Sequence, residues 1–346
     1  MSKQISVGNL KIGGGAPVSV QSMTTTKTWD VEGTLRQIEE LATAGCDLVR
    51  VTLNTPKAVD GFAAFCARSP LPVVADIHYD PTLALAAIHG GAAKIRLNPG
   101  NIKPVLKEEI ATLCRNKGIP IRLGVNLGSL NPAVEAKYGR TAAAMVYSAI
   151  KEAKTFRSLG FDDLCLSVKA SDPAVCFEAY KALHEECDYP LHLGVTEAGA
   201  GEECLAKSYA VMGGLLLQGI GDTIRVSMTD EPVEEVKAGL NLLRSLGLRR
   251  DFVNVIACPM CGRTEHDIRP IYQAVKEAVK DIRTPLTVAV MGCPLNGIGE
   301  AKDADLGVAM SANGGVLFAK GKQLGMVSHE EILPQLLALI EEGVNG

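Results

Sequence analysis

Two short loops carry the densest chemistry in this chain. The first reads Ala257-Cys258-Pro259-Met260-Cys261-Gly262-Arg263, and the second reads Met291-Gly292-Cys293-Pro294-Leu295-Asn296-Gly297-Ile298-Gly299-Glu300. A Cys-x-x-Cys pair alone serves zinc, iron–sulfur and dithiol redox chemistry alike. The third cysteine removes the simple dithiol. The lack of a fourth in comparable context argues against a closed all-cysteine zinc site. Three thiolates with an open or oxygen-ligated fourth position suit a [4Fe–4S] cluster that meets substrate at one iron. Carboxylate is a harder, more exchangeable ligand than thiolate. Glu300, seven residues after Cys293, is therefore the candidate for a displaceable fourth ligand. Gly292, Gly297 and Gly299 let the backbone approach a bulky inorganic group. Structural zinc with glutamate or water completing the shell is the alternative.

A second set of candidates lies upstream, where apolar runs end. Short β-branched runs predict strands at 18–23, 48–53, 72–76, 93–97, 120–125, 163–168, 191–195 and 223–226. Helical patterns fall between and after them, at about 31–44, 55–67, 80–89, 103–117, 139–158, 172–186, 201–217 and 231–246. Eight strand–helix units predict a closed (β/α)8 barrel. A doubly wound sheet is the runner-up, but no Gly-x-Gly-x-x-Gly follows the first strand. Asp80-Pro81 and Asp172-Pro173 read as helix starts, and Gly45, Gly118 and Gly160 as left-handed helix ends.

In such barrels the chemistry sits at the C-terminal ends of the strands. Five cations fall in or just after the strands: Arg50, Arg96, Arg122, Lys169 and Arg225. Asp76, His78, Asn98, Asn126, Glu197 and Ser227 occupy strand ends beside them. Arg96 and Asn98 are two apart, as are Arg225 and Ser227, so each pair shares a face of its strand. Barrel interiors normally hold apolar side chains, and guanidinium forks match phosphate oxygens. A small, multiply anionic substrate such as a diphosphate would neutralise the cluster. His78 is a candidate acid/base or substrate donor, whereas His192 reads as structural and His89, His184, His266 and His329 as surface.

Near residue 247 the barrel pattern stops. The expected division is 1–247 for a barrel and 248–346 for a small α+β unit that carries both cysteine loops. Its run from Gly314 to Lys322 reads as a hairpin edge. The chain has 346 residues, of which 47% are hydrophobic, and a net charge of -4, which gives no field for non-specific nucleic-acid binding. No apolar run predicts a membrane span, and the N-terminus lacks a signal-peptide core, so a cytoplasmic protein is expected. Cys46, Cys66, Cys114, Cys165, Cys176, Cys187 and Cys204 lie in apolar or helical patterns and read as small buried hydrophobes.

With these residues assembled, the chain resembles the 4-hydroxy-3-methylbut-2-en-1-yl diphosphate synthase family over nearly its whole length. The resemblance rests on Val74-Ala75-Asp76-Ile77-His78, Arg96-Leu97-Asn98-Pro99-Gly100-Asn101-Ile102, Leu123-Gly124-Val125-Asn126 and Ser167-Val168-Lys169-Ala170-Ser171. It continues through Leu191-His192-Leu193-Gly194-Val195-Thr196-Glu197-Ala198-Gly199, Gly219-Ile220-Gly221-Asp222-Thr223-Ile224-Arg225-Val226-Ser227 and the cysteine loops. One departure is visible: Ile298 stands where the family usually has proline.

The resemblance implies the short two-domain bacterial form, with a ferredoxin/sulfite-reductase-like iron–sulfur domain after the barrel. It implies reductive ring opening and dehydration of 2-C-methyl-D-erythritol 2,4-cyclodiphosphate in the methylerythritol phosphate route to isoprenoids. Electrons would come from flavodoxin or ferredoxin. Cys258, Cys261, Cys293 and Glu300 carry over as ligands of one [4Fe–4S] cluster per subunit. Arg50, Asp76, Arg96, Asn98, Arg122, Asn126, Lys169, Arg225, Ser227 and Asn296 would bind substrate. Glu300, Glu197 and His78 are the candidates for proton transfer. The family is a homodimer in which one subunit's cluster domain caps the other's barrel. Two rivals remain at this stage: a zinc-stapled barrel lyase or aldolase, and an iron–sulfur carrier.

Overall fold

The computed structural model describes every residue except Tyr79, Pro81, Pro99, Gly100, Asn101, Lys103, residues 295–298, Glu300 and Gly346, with the backbone alone of Asn345. The expected positions Asn296, Ile298 and Glu300 therefore lie outside the described residues. The chain divides into two compact units, Met1–Leu248 and Arg249–Gly346.

The first unit opens with a hairpin of β1 (Ile5–Val7) and β2 (Leu10–Ile12). Eight parallel strands follow: β3 (Ser19–Met23), β4 (Leu48–Leu53), β5 (Val73–Ile77), β6 (Lys94–Leu97), β7 (Ile121–Asn126), β8 (Leu164–Lys169), β9 (His192–Leu193) and β10 (Thr223–Ile224). Each hydrogen-bonds the next, β10 returns to β3, and a parallel bridge from Leu166 to Leu191 closes the ring. Helices α1 (Val31–Thr43), α2 (Val59–Cys66), α3 (Thr82–His89), α4 (Pro104–Lys117), α5 (Pro132–Tyr138), α6 (Ala142–Ser158), α7 (Pro173–Glu186), α8 (Gly201–Leu216) and α9 (Pro232–Ser245) surround it.

The strands form because one face of each is continuously apolar. Val49, Val51, Leu53, Ile121, Leu123 and Val125 all point out into the core shared with the helices. The expected punctuation is present at α7 and at the three glycines, while Pro81 of the other expected start lies outside the described residues. Asp172 Oδ1 accepts the Val175 amide at 3.0 Å, Asp80 Oδ1 accepts the Thr82 amide at 3.0 Å, and Gly45, Gly118 and Gly160 have positive φ.

The other strand face lines the barrel, and the pairing register sorts it into layers. Partners step down the barrel from strand to strand, so residues at one height come from alternate strands. Leu48, Lys94, Cys165 and Thr223 form the lowest layer, with Gln21, Val74, Arg122 and His192 above it. Next come Arg50, Arg96, Ser167 and Arg225, then Met23, Asp76, Gly124 and Gly194. Asn98 and Lys169 stand at the rim. The β1–β2 hairpin closes the floor with Ile5, Val7 and Ile12 against Leu48, Val74 and Cys165.

Two elements depart from the sequence expectation. The β1–β2 hairpin has strands of three residues each, too short to show a period. Helix α5 is seven residues long and starts on Asn131-Pro132, between the strand expected at 120–125 and the helix expected at 139–158.

The second unit is a five-stranded mixed sheet. β11 (Val253–Ala257), β12 (Leu286–Met291) and β13 (Leu306–Ser311) are parallel, and β14 (Gly314–Ala319) and β15 (Lys322–Val327) extend it antiparallel. Helix α10 (Arg269–Ala278) and the last helix (His329–Asn345) pack on it through Val275, Ile332, Leu336 and Ile340. His266 and His329, expected on the surface, stack with ring centroids 4.0 Å apart, and His329 is half-buried. Among the described residues no helix is long and apolar enough to cross a membrane.

Candidate functional site

The barrel interior is charged where such interiors are normally hydrocarbon. Arg96, Arg122 and Lys169 are buried, and the side chains of Arg50 and Arg225 are each 14% exposed. The layering puts Arg50, Arg96 and Arg225 at one height, Arg122 one layer below and Lys169 at the rim. Asn98 follows β6 and Asn126 ends β7, and Asn98 Nδ2 lies 3.3 Å from Ser129 Oγ. Ser227 is half-buried beyond the end of β10.

Two carboxylates hold this cluster in place. Asp76 is 1% exposed. Its oxygens lie 3.6 Å from Arg50 Nε, 3.3 Å from Arg96 Nη1 and 2.9 Å from His78 Nε2. Burial alone would raise the Asp76 carboxyl, but the Arg50 charge, the His78 hydrogen bond and the Arg96 charge hold it well below the usual carboxylate range. Glu235, on α9, grips Arg225 with both oxygens: Oε2 accepts from Nε at 3.0 Å and Oε1 from Nη2 at 2.8 Å. Ser22 Oγ donates to Glu235 Oε2 at 2.8 Å and the Met228 amide to Oε1 at 3.2 Å.

The cations remain short of negative charge. Burial pushes the Arg50 guanidinium down to about 9, against the opposing pull of Asp76, and Arg225, Arg122 and Arg96 add to the depression. Burial and then Arg96 bring Arg122 down to about 10. Burial, with Arg122, Arg225 and Arg50, holds the Lys169 ammonium well below its ordinary value. A bound anion would relieve all three.

Two glycines make room for these side chains. A Cβ on Gly124 would stand 2.9 Å from Arg96 Nε, and one on Gly194 would stand 2.5 Å from Lys169 Nζ and 2.9 Å from the Arg225 carbonyl oxygen. Gly194→Ala is accordingly expected to displace Lys169 and lower kcat/KM about a hundredfold, because displacements near 1 Å cost that much. Steady-state kinetics beside a thermal melt checks this: the melt should move far less than the rate.

Glu197 follows β9, is exposed, and holds a backbone φ of 55°, a conformation that non-glycine residues seldom adopt outside functional sites. His78 is 36% exposed at the end of β5.

In the second unit, Ala257 pairs with Val290 in the β11–β12 ladder. The two cysteine loops therefore leave neighbouring strand ends side by side. The Gly292 amide donates to Cys258 Sγ at 3.1 Å. A Cβ at Gly292 would sit 2.9 Å from Thr264 Oγ1 and 3.4 Å from Cys258 Sγ, so only glycine brings the backbone this close. The Cys261 amide donates to Thr264 Oγ1 at 3.1 Å, and the Thr264 amide returns a bond to the Cys261 carbonyl at 2.9 Å. Cys293 is buried, Cys258 half-buried and Cys261 exposed. Among the described residues no three His, Cys, Asp or Glu side chains form a group that could hold a single metal ion.

Several residues of the barrel site were missed by sequence reasoning. Lys94 is fully buried two residues before Arg96, so the same two-residue rule could have found it. Gln21 and His192 are also fully buried and face the interior. Glu235 gave no local signal, since Glu234 and Glu235 look alike within a helical pattern. Gly124 and Gly194 stood in quoted motifs without an assigned role.

Comparison with known proteins bears on both units. Residues 2–240 match the GcpE TIM-barrel domain, and residues 254–342 match the GcpE protein C-terminal domain. A protein of Salinispora arenicola named 4-hydroxy-3-methylbut-2-en-1-yl diphosphate synthase (flavodoxin) is 49% identical, covering 97% of this chain and 87% of its own length. A protein of the same name from Corynebacterium diphtheriae is 48% identical over 99% of this chain and 88% of its own length. Among solved structures, dihydropteroate synthase from Stenotrophomonas maltophilia superposes with a TM-score of 0.53 at 15% identity, covering 71% of this chain and 97% of that one. That likeness concerns the barrel fold alone.

Proposed function

The chain belongs to the GcpE family, and from that membership we propose that it performs the reaction for which its relatives are named. 2-C-methyl-D-erythritol 2,4-cyclodiphosphate takes up two electrons and two protons, its ring opens at a C–O bond, and one water leaves. The product is (E)-4-hydroxy-3-methylbut-2-enyl diphosphate. Flavodoxin is the electron donor that the relatives' names indicate. Ferredoxin is the alternative donor, and the working form is a cytoplasmic homodimer.

The observation that carries this reading is the ring of Arg50, Arg96, Arg122, Lys169 and Arg225 in a barrel that answers them with Asp76 and Glu235. The guanidinium forks and the Lys169 ammonium bind the diphosphate oxygens, and Asn98, Asn126 and Ser227 add hydrogen bonds. Asp76 orients Arg50, Arg96 and His78, and Glu235 orients Arg225. Positioning of this kind supplies a large share of rate acceleration. His78 and Glu197 are the candidates among the described residues to deliver a proton to the departing oxygen, with Glu300 as a third. Asn296 would contact substrate from the second cysteine loop.

A [4Fe–4S] cluster on Cys258, Cys261, Cys293 and Glu300 fits the second unit. The three thiols leave adjacent strand ends, a backbone amide donates to one sulfur, and Gly292 keeps the approach clear. Amide hydrogen bonds to cluster sulfurs tune such centres. When bound, the cluster supplies electrons one at a time and an iron that acts as a Lewis acid.

The test is anaerobic turnover of the cyclic diphosphate with reduced flavodoxin. Formation of the hydroxylated enyl diphosphate is expected. Protein that carries its cluster yet leaves the substrate intact with both donors would contradict the proposal.

A further inference from the structure

Below the Arg50–Arg96–Ser167–Arg225 layer the barrel holds Arg122, already assigned to the substrate, and three further polar groups that no substrate at the mouth accounts for. Lys94, Gln21 and His192 are fully buried, and Arg122 is 1% exposed. Lys94 Nζ, both amide atoms of Gln21, both ring nitrogens of His192, and Nε and Nη1 of Arg122 have no hydrogen-bond partner. Gln21, Arg122 and His192 share one layer, and Lys94 belongs to the layer beneath it. Native proteins satisfy buried polar groups almost without exception, and a buried charge left unpaired is costlier still.

Protein charge does not supply the answer. Asp76 is engaged above with Arg50, Arg96 and His78, and Glu235 with Arg225. Burial holds the Cys165 thiol above its ordinary value, so it stays neutral. Six basic side chains (Arg50, Lys94, Arg96, Arg122, Lys169 and Arg225) face those two carboxylates, and burial brings Lys94 down to about 8 and holds Lys169 well below its ordinary value. A cyclic diphosphate at the mouth brings two negative charges, which with Asp76 and Glu235 match the four guanidinium groups and leave Lys94 with no opposite charge of its own. Below these groups Ile5, Val7 and Ile12 pack against Leu48, Val74 and Cys165.

We infer that the barrel floor is a resident anion site, in which a halide such as chloride is held by Lys94 Nζ, the Gln21 amide, a His192 N–H and the Arg122 guanidinium. The apolar wall suits a small, weakly hydrated ion that accepts N–H donors from several sides. The ion would set the height of Arg122 from beneath, and so the floor on which the substrate's phosphates rest. The charge count uses the proposed substrate, but the site itself is read without turnover.

The probe is bromide. Crystals of the holoenzyme grown with bromide in place of chloride are expected to show an anomalous peak between Lys94 and His192. The wild-type chain should melt about 2–4 °C higher in chloride than in gluconate at equal ionic strength. Lys94→Met should lose both the peak and the salt difference, and Lys94→Gln serves if that variant does not fold. Bromide confined to the surface, or floor density without anomalous signal together with equal melts, overturns the inference. Loss of activity with the bromide peak intact would count against the proposed reaction and leave the anion site standing.

Discussion

Replacing Cys293 by alanine is expected to leave a folded chain that keeps no stable cluster and turns over at most about a hundredth as fast. Even outer partners of a metal site are worth ten- to a hundredfold, and a lost ligand costs at least as much. Cys293 follows β12 and lies outside the clusters of packed core residues, so the loss of one sulfur removes little packing. The β11–β12 ladder, from Val253–Leu286 to Ala257–Val290, does not depend on it. Visible absorption and iron content per chain should fall together while the apo-protein melt stays near wild type. Cys66→Ala is the control. Cys66 is a half-buried thiol on α2, pushed up to about 12 by burial, and its loss should leave the iron content unchanged. Full iron in the Cys293 variant would remove this residue from the ligand set.

Asp76→Asn should be the most damaging change inside the barrel. The variant keeps the volume and loses the charge, which leaves Arg50 and Arg96 facing each other without their common carboxylate. Removing one partner of a buried ion pair costs about 3–5 kcal/mol. Chemical denaturation of the apo-protein should show that loss, and saturating cyclic diphosphate should recover part of it. The pH sign follows from the depressed carboxyl. Its stabilisation is complete above the unfolded value of about 3.9 and is lost as pH falls below it. Wild-type stability should therefore drop in that acid range more steeply than that of the variant. An Asp76→Asn chain as stable as wild type at neutral pH would mean that Asp76 does not anchor the cations.

Much of the barrel was legible in sequence because its strands are apolar on one face and two of its helical patterns follow Asp-Pro pairs. The same period of two exposed the inward cations, since Arg96 with Asn98 and Arg225 with Ser227 must share a face. It could have included Lys94. What was not legible depends on closure. Glu235 lies ten residues after Arg225 on a helix with nothing local to pair the two, yet the barrel sets its carboxylate 2.8 Å from that guanidinium. Gly194 is required by a lysine from a neighbouring strand, and a single chain segment carries no trace of that crowding. The β1–β2 hairpin was invisible for a similar reason: its three-residue strands acquire meaning only from the floor they seal.

The two halves of the proposal meet in one spectrum. Electron paramagnetic resonance of the anaerobically reduced protein should show the signal of a reduced [4Fe–4S] centre, and adding the cyclic diphosphate should change it. The change should disappear in Arg96→Met, whose barrel has lost a central phosphate fork, while the signal without ligand stays as in wild type. A protein with zinc and no iron–sulfur signal, or a signal indifferent to the cyclic diphosphate, would contradict the coupling of a phosphate-gripping barrel to a three-cysteine cluster.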